Sequence, residues 1–395
     1  MVTAQERLQS PQRLVNYETA RSKHGTKAES MARMLTVGDP LADAVIAELD
    51  TLGKDARKAL KCGLADGLDS LDRAPPATEA LLSQLEAMPD WGSEDTLTNG
   101  DQTTLLVPPR WSTLAFACGT LPHAYSSPSI AKLLVQTGQL DKMAARRLAE
   151  TNLWMINSIL PGGLLRGAAG YRQTAEVRLL HARVRATALK HGWQTERWGV
   201  PINQVDTART WLDLTLVPFS FLASAGFVIN EGEQQSLYRY WRYIAYLLGL
   251  DESFFLDVHD HATANDLQDL LDSTIAPPDD HARVLVEAAH NAASDNMAGE
   301  PTSTLTREAA RDLVNALARQ YLGDAQADAL GIPTSPATPF LPFIEASNAW
   351  ARRLHLGVPE AAAQERAENA EQYRALAATL AADRTAYQEH LEAAS

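Results

Sequence analysis

The stretch Thr174-Ala-Glu-Val-Arg178-Leu-Leu-His181-Ala-Arg183-Val-Arg185 reads as a helix that sets one histidine among apolar neighbours, with arginines a turn away on either side. Arg178 precedes His181 by three positions and Arg185 follows it by four, so the three share one helix face. A haem-binding helix needs this arrangement: an axial imidazole must be neutral and held in apolar surroundings, and the haem propionates need cations nearby. A lone histidine on an apolar face is more often a satisfied core residue than a ligand, so the rest of the chain has to carry weight.

Outward from this segment the helical pattern continues. Segments rich in Ala, Leu, Glu and Arg, with apolar residues three and four apart, alternate with short Gly, Pro and Asp breaks; this predicts an all-α fold. Helices are expected at 111–122, 128–138, 140–159, 171–191, 204–227 and 232–249, forming a core bundle. Residues 41–64 read as a helix pair after Gly38-Asp39-Pro40, and Pro75-Pro76 opens another helix that Met88-Pro89-Asp90-Trp91 ends. Residues 92–104 are polar and turn-rich, as in a connection between domains. The expected organisation is therefore an N-terminal helical segment at 1–104, a helical core at 105–330, and a linker with four prolines followed by a terminal helix at 331–395.

With 395 residues, 45% of them hydrophobic, the chain can build an extensive core. A formal charge of −14 argues against nucleic acid and against anionic membrane surfaces, which call for concentrated basic surface. Cys62 and Cys118 lie far apart without neighbours at metal-ligand spacing, which fits a reducing compartment and gives no disulfide framework. The first residues carry no apolar export signal, and no run approaches the roughly 20 apolar residues of a membrane-spanning helix. The expectation is a cytoplasmic protein off the membrane, a monomer or homodimer.

On the 140–159 helix, Arg147, Glu150 and Thr151 are spaced so that all three can line one pocket wall; the plainer reading is a surface Arg–Glu pair. Asp257-Val-His259-Asp260-His261 has the residue types of a zinc or iron site, but at loop-like spacing. Tyr238, Tyr240, Trp241, Tyr243 and Tyr246 form an aromatic-rich helix suited to a core or to the wall of a large flat ligand. Asn203 or Gln204 suits a helix cap.

Taken in order along the chain, these pieces resemble the latex clearing protein family, within the wider group of MpaB-like haem oxygenases. The resemblance rests on Gly38-Asp39-Pro40, Met88-Pro89-Asp90-Trp91, Arg147 with Thr151, the Arg178-x-x-His181-Ala-x-Val-Arg185 signature, and Pro201-Ile202-Asn203-Gln204 followed by Asp206; it spans roughly residues 30–255. It implies a globin-like helical core, enlarged by extra helices, around one haem b. His181 would be the proximal ligand of the iron, and Arg147 and Thr151 would shape the oxygen side. Arg178 and Arg185 are the candidates for propionate contacts. Rubber-cleaving members break the double bonds of cis-1,4-polyisoprene with dioxygen, giving aldehyde and ketone ends. The sequence departs from them twice: Glu150 stands where they carry a lysine, and Ala131 where they carry a glutamate acting as base. Glu150 would then either shuttle a proton or pair with Arg147. The resulting expectation is a haem oxygenase using O2 to oxidise or cleave a small apolar substrate, such as an isoprenoid or pathway intermediate. Haem mono-oxygenation or peroxygenation without C=C cleavage, a non-catalytic haem or gas sensor, and a cofactor-free helical scaffold are the alternatives.

Overall fold

Asp39 starts the first long helix: its carboxylate accepts the Ala42 N–H at 3.2 Å, and Pro40 fills the first helical position of Pro40–Leu52. Gly53, at φ 68°, then turns the chain into Lys54–Asp66 through a left-handed conformation that a side chain would disfavour. The protein, here a computed structural model, describes residues 12–136, 140–299 and 303–382; for 136 and 140–147 it describes the backbone alone. All regular structure among the described residues is helical.

The chain divides into two units of interleaved sequence. The first gathers Met1–Asp101, Asn157–Trp211 and Tyr238–Ala276; the second gathers Gln102–Ile156, Leu212–Leu237 and Pro277–Ser395. These are not the sequential blocks 1–104, 105–330 and 331–395 that composition suggested, because each unit draws together helices distant in sequence.

In the first unit, helix Ala169–Lys190 packs on Pro40–Leu52, which in turn packs on Pro76–Glu86. A buried ion pair ties the first two: Arg178, 3% exposed, donates Nε to Asp39 Oδ2 at 2.6 Å and Nη2 to Oδ1 at 3.0 Å. The two-pronged geometry fixes both distance and rotation between the helices. In the second unit, Asp280–Gly299 and Arg307–Leu322 pack together and against the helical run that begins at Pro109. Asn369 Nδ2 donates to the Leu105 carbonyl and Tyr373 Oη to that of Val107, both at 2.9 Å, so the terminal Pro359–Ala382 helix belongs to this unit rather than to a separate tail.

Local sequence explains where expected helices differ. The 111–122 helix becomes Pro109–Ala115, a widened π-helical turn Phe116–Thr120, and Leu121–Tyr125. Pro122 has no N–H to continue the ladder, and the wider turn absorbs the mismatch. The 204–227 helix breaks at Thr215 into Gln204–Leu214 and Leu216–Ser224. Pro218 is the cause, lacking the donor that would reach the Leu214 carbonyl. The polar stretch 92–104 is not an open connection. Ser93 caps helix Glu94–Asn99, and Asp101 and Thr103 are each 1% exposed, with Asp101 accepting Trp241 Nε1–H at 2.8 Å.

Breaking one partner of a buried ion pair strands the other charge, at a cost of about 3–5 kcal/mol. Asp39→Ala, which also removes a helix cap, is expected to lose at least that much in urea denaturation. Asp39→Asn, keeping the cap alone, should lose less. A loss under about 1 kcal/mol for Asp39→Ala would show the pair to be dispensable.

Candidate functional site

Burial sets the state of His181. Desolvation, and then the guanidinium of Arg185, push its pKa down to about 4, while Asp39 pulls the other way. The ring is therefore uncharged at neutral pH. Deep as it is, it keeps accessible surface, so packed side chains do not seal it. No hydrogen bond from either ring nitrogen to a carbonyl or carboxylate is found among the described residues. A deep, neutral imidazole with a nitrogen open to a metal is what an axial ligand requires.

The arginines flanking it are held from three sides. Besides Asp39, Arg178 donates Nη1 to Gln84 Oε1 at 2.6 Å and to the Leu247 carbonyl at 3.4 Å. Arg185, 3% exposed, donates Nε to Asp43 at 2.8 and 3.1 Å, and Nη1 to the carbonyls of Ile202 at 2.6 Å and Pro201 at 3.3 Å. Ile202 reaches that position at φ 49°, rare for a β-branched residue and a local strain. Gln204 bridges Gly38 O at 2.8 Å and Gly249 O at 3.0 Å, and accepts Asp251 N–H at 2.8 Å. Gly249, at φ 73°, admits no larger residue, since a Cβ there would lie 2.5 Å from Arg178 Nε and Asp39 Oδ2. Tyr246 donates to the Gln84 carbonyl at 2.5 Å, and Trp91 meets Tyr246 edge-on at 6.0 Å. The segments around Asp39, Trp91, His181 and Asn203 thus converge on one polar scaffold.

The structure brings Arg178, His181 and Arg185 together as expected from their spacing, but not with both cations free for propionates. Arg178 is engaged through three nitrogens, which gives it a structural role. Arg185 keeps one buried nitrogen, Nη2, with no hydrogen-bond partner among the described residues. Glu150 and Thr151, both half-buried, stand on helix Leu140–Ile159 in the second unit; Arg147 lies on the same helix, its side chain outside the described residues. Ala131 is fully buried on Pro128–Gln136.

Asp257, His259, Asp260 and His261 form a helix start rather than a metal cluster. Asp260 caps His261–Asp272 in a capping box with Thr263, and His261 Nδ1 lies 2.8 Å from Tyr238 Oη. No group of three or more His, Cys, Asp or Glu suited to a metal occurs among the described residues. Asn203 is the cap expected, accepting Asp206 N–H at 3.0 Å.

Two pairs in the second unit escaped the sequence. His123 Nδ1 lies 2.5 Å from Asp213 Oδ1, with Asp213 buried, the arrangement that orients a general base. His290, 1% exposed, bonds Asn315 at 3.1 Å, and burial lowers its pKa to about 4. The partners are 90 and 25 residues apart, so no local motif announces them.

Residues 109–353 match the family model described as ER-bound oxygenase mpaB/B'/Rubber oxygenase, catalytic domain. The chain belongs to this family. Among solved structures, latex clearing protein in its closed state matches with a TM-score of 0.61 at 18% identity, over 86% of this chain and 90% of that one. At that identity the likeness is one of fold. No curated protein matches. Within the rubber oxygenase and MpaB family, His181, Glu150 and Thr151 fall inside the matched range, whereas Asp39, Asp43, Gln84 and Trp91 lie ahead of it. No described helix is long and apolar enough to cross a membrane.

His181 and His290 both release their proton more readily folded than unfolded, where imidazole titrates near 6.5. Between about pH 6.5 and 4 the unfolded chain binds more protons, so the stability these rings allow is complete above about 6.5 and is lost as pH falls toward 4. The denaturation midpoint should drop from pH 7 to pH 5, and His290→Asn should flatten that slope; an unchanged slope would contradict the assignment.

Proposed function

We propose that this protein is a haem b-dependent oxygenase that works with dioxygen on a small apolar substrate, in the cytoplasm. The observation carrying the reading is the state of His181: deep, neutral and unsealed, on a helix of an oxygenase family member. Haem b, when bound, would supply an iron centre able to activate dioxygen. His181 would hold that iron and, being unprotonated, has no proton to lose on binding. The clamps on Arg178 and Arg185 keep its helix from rotating, which aims the imidazole. Nη2 of Arg185 is the donor left over for a cofactor carboxylate; Arg178 acts from behind, through Asp39.

Arg147 and Thr151 would offer charge-assisted and neutral hydrogen bonds to oxygen atoms. Glu150 is the residue left to hold or move a proton beside them. Ala131, a methyl group where rubber-cleaving relatives have a carboxylate, cannot take an allylic proton. A substrate smaller than a polymer fits that loss and the cytoplasmic setting.

Expression with a haem precursor should give a protein with a Soret band, and His181→Ala should lose most of it. Full haem content in that variant would remove the ligand assignment, and a colourless wild type would favour a scaffold. Isotope-labelled oxygen entering one or two product atoms would separate mono-oxygenation from cleavage, while stable oxygen binding without product would favour a sensor. With polyisoprene latex, little or no aldehyde should be released; efficient release would show that Ala131 and Glu150 do not exclude rubber.

A further inference from the structure

Helix Leu341–Gly357 is anchored to the second unit by one face. Leu341 is buried, Asn348 Nδ2 donates to the Ala225 carbonyl at 2.8 Å, and Arg352 donates to the Val228 carbonyl at 3.0 Å and pairs with Glu233. Positions 341, 348 and 352 recur at helical spacing, so the opposite face points outward by construction. There stand Phe343, Trp350 and Leu354, 75%, 64% and 50% exposed, with Phe340, Leu356 and Val358 exposed at the ends. Six of the thirteen exposed large hydrophobic residues among those described fall in these nineteen positions, which makes a patch rather than scatter. Between the bulky side chains lie Ala346, Ser347 and Ala351.

We propose that this face is a twofold interface with a second copy of this chain, each helix packing antiparallel on its twin. The spacing is self-complementary, as an isologous contact demands. In one register Phe343 meets the partner's Leu354, Ser347 meets the partner's Trp350, Ala346 meets the partner's Ala351, and Phe340 meets the partner's Gly357. Phe343 thus packs on Leu354, Trp350 and Phe340 sit over Ser347 and Gly357, and the facing alanines let the two backbones approach. Phe340, Phe343, Trp350 and Leu354 offer on the order of 500 Å² of apolar surface, close to the apolar share of the ~800 Å² per partner that a standard interface buries. A lipid surface suits the face poorly. Its exposed charges are Glu345 and Arg353 rather than a basic cluster, and the chain carries a net charge of −14.

Sedimentation at micromolar concentration should give twice the 43.0 kDa chain mass. Phe343→Asp and Trp350→Asp, with unchanged helical circular dichroism, should weaken self-association by about a hundredfold or more. Val284→Asp, at an exposed apolar site elsewhere, should leave the dimer intact. The register has its own check: in a Cys62→Ser background, Ala346→Cys with Ala351→Cys should form an intermolecular disulfide under mild oxidation, and neither single variant should do so efficiently. If Phe343→Asp fails to fold, Leu354→Asp serves in its place. A wild type that stays monomeric, a dimer indifferent to these substitutions, or a monomer that floats with phosphatidylcholine vesicles would overturn the proposal.

Discussion

Two aspartate–arginine pairs, Arg178 with Asp39 and Arg185 with Asp43, decide where His181 stands. Removing two charges from water costs several kcal/mol per ion, and well-packed apolar residues of similar volume often stabilise a fold as well or better. Position is what such pairs supply: a two-pronged bond fixes separation and rotation together, whereas an apolar contact can slide. Arg178 and Arg185 bracket His181 at three and four residues, so clamping both leaves the histidine's helix no freedom to turn. The scaffold continues outward through Gln84, Gln204, the strained Ile202 and the closely approached Gly249. Each of these presents a backbone or amide group to an arginine, or to the segment holding one.

Much of this was legible in the sequence because it is local. Helical periodicity, Asp39 followed by Pro40, and the spacing of Arg178, His181 and Arg185 each sit within a few residues. Their purpose was less legible. The two arginines read as cations waiting for propionates because the aspartates that satisfy them are about 140 residues earlier, and sequence spacing carries no information about such partners. The same blindness hid His123 with Asp213. It also misjudged residues 92–104, whose polar side chains are buried because distant groups satisfy them: Trp241 for Asp101 and the Glu233 carbonyl for Thr103. Prolines misled in a different way. Pro122 and Pro218 sit inside strongly apolar runs, where the apolar pattern alone predicts an unbroken helix and the missing N–H interrupts it.

The residues singled out from the sequence fall in different units. His181 belongs to a unit whose polar groups are tied into the clamp, and Glu150 and Thr151 belong to another, which holds the π-helical turn and the buried His290. Ala131 and Glu150, the two departures from the rubber-cleaving pattern, both lie in the second unit, whereas every residue of the clamp lies in the first.

The absence of a hydrogen bond to His181 among the described residues completes the argument about positioning. Where a histidine's second nitrogen is tied to a carboxylate, the ring is oriented by that bond and made more basic by it. Here Asp39, the acid whose charge acts on the ring, is occupied by Arg178, and Arg185 opposes a positive charge on the ring. Helix Ala169–Lys190 and the clamps that hold it set where the ring stands. Burial first, and Arg185 after it, keep the ring neutral, so Arg185 matters to His181 twice, as a mechanical anchor and as part of the local field.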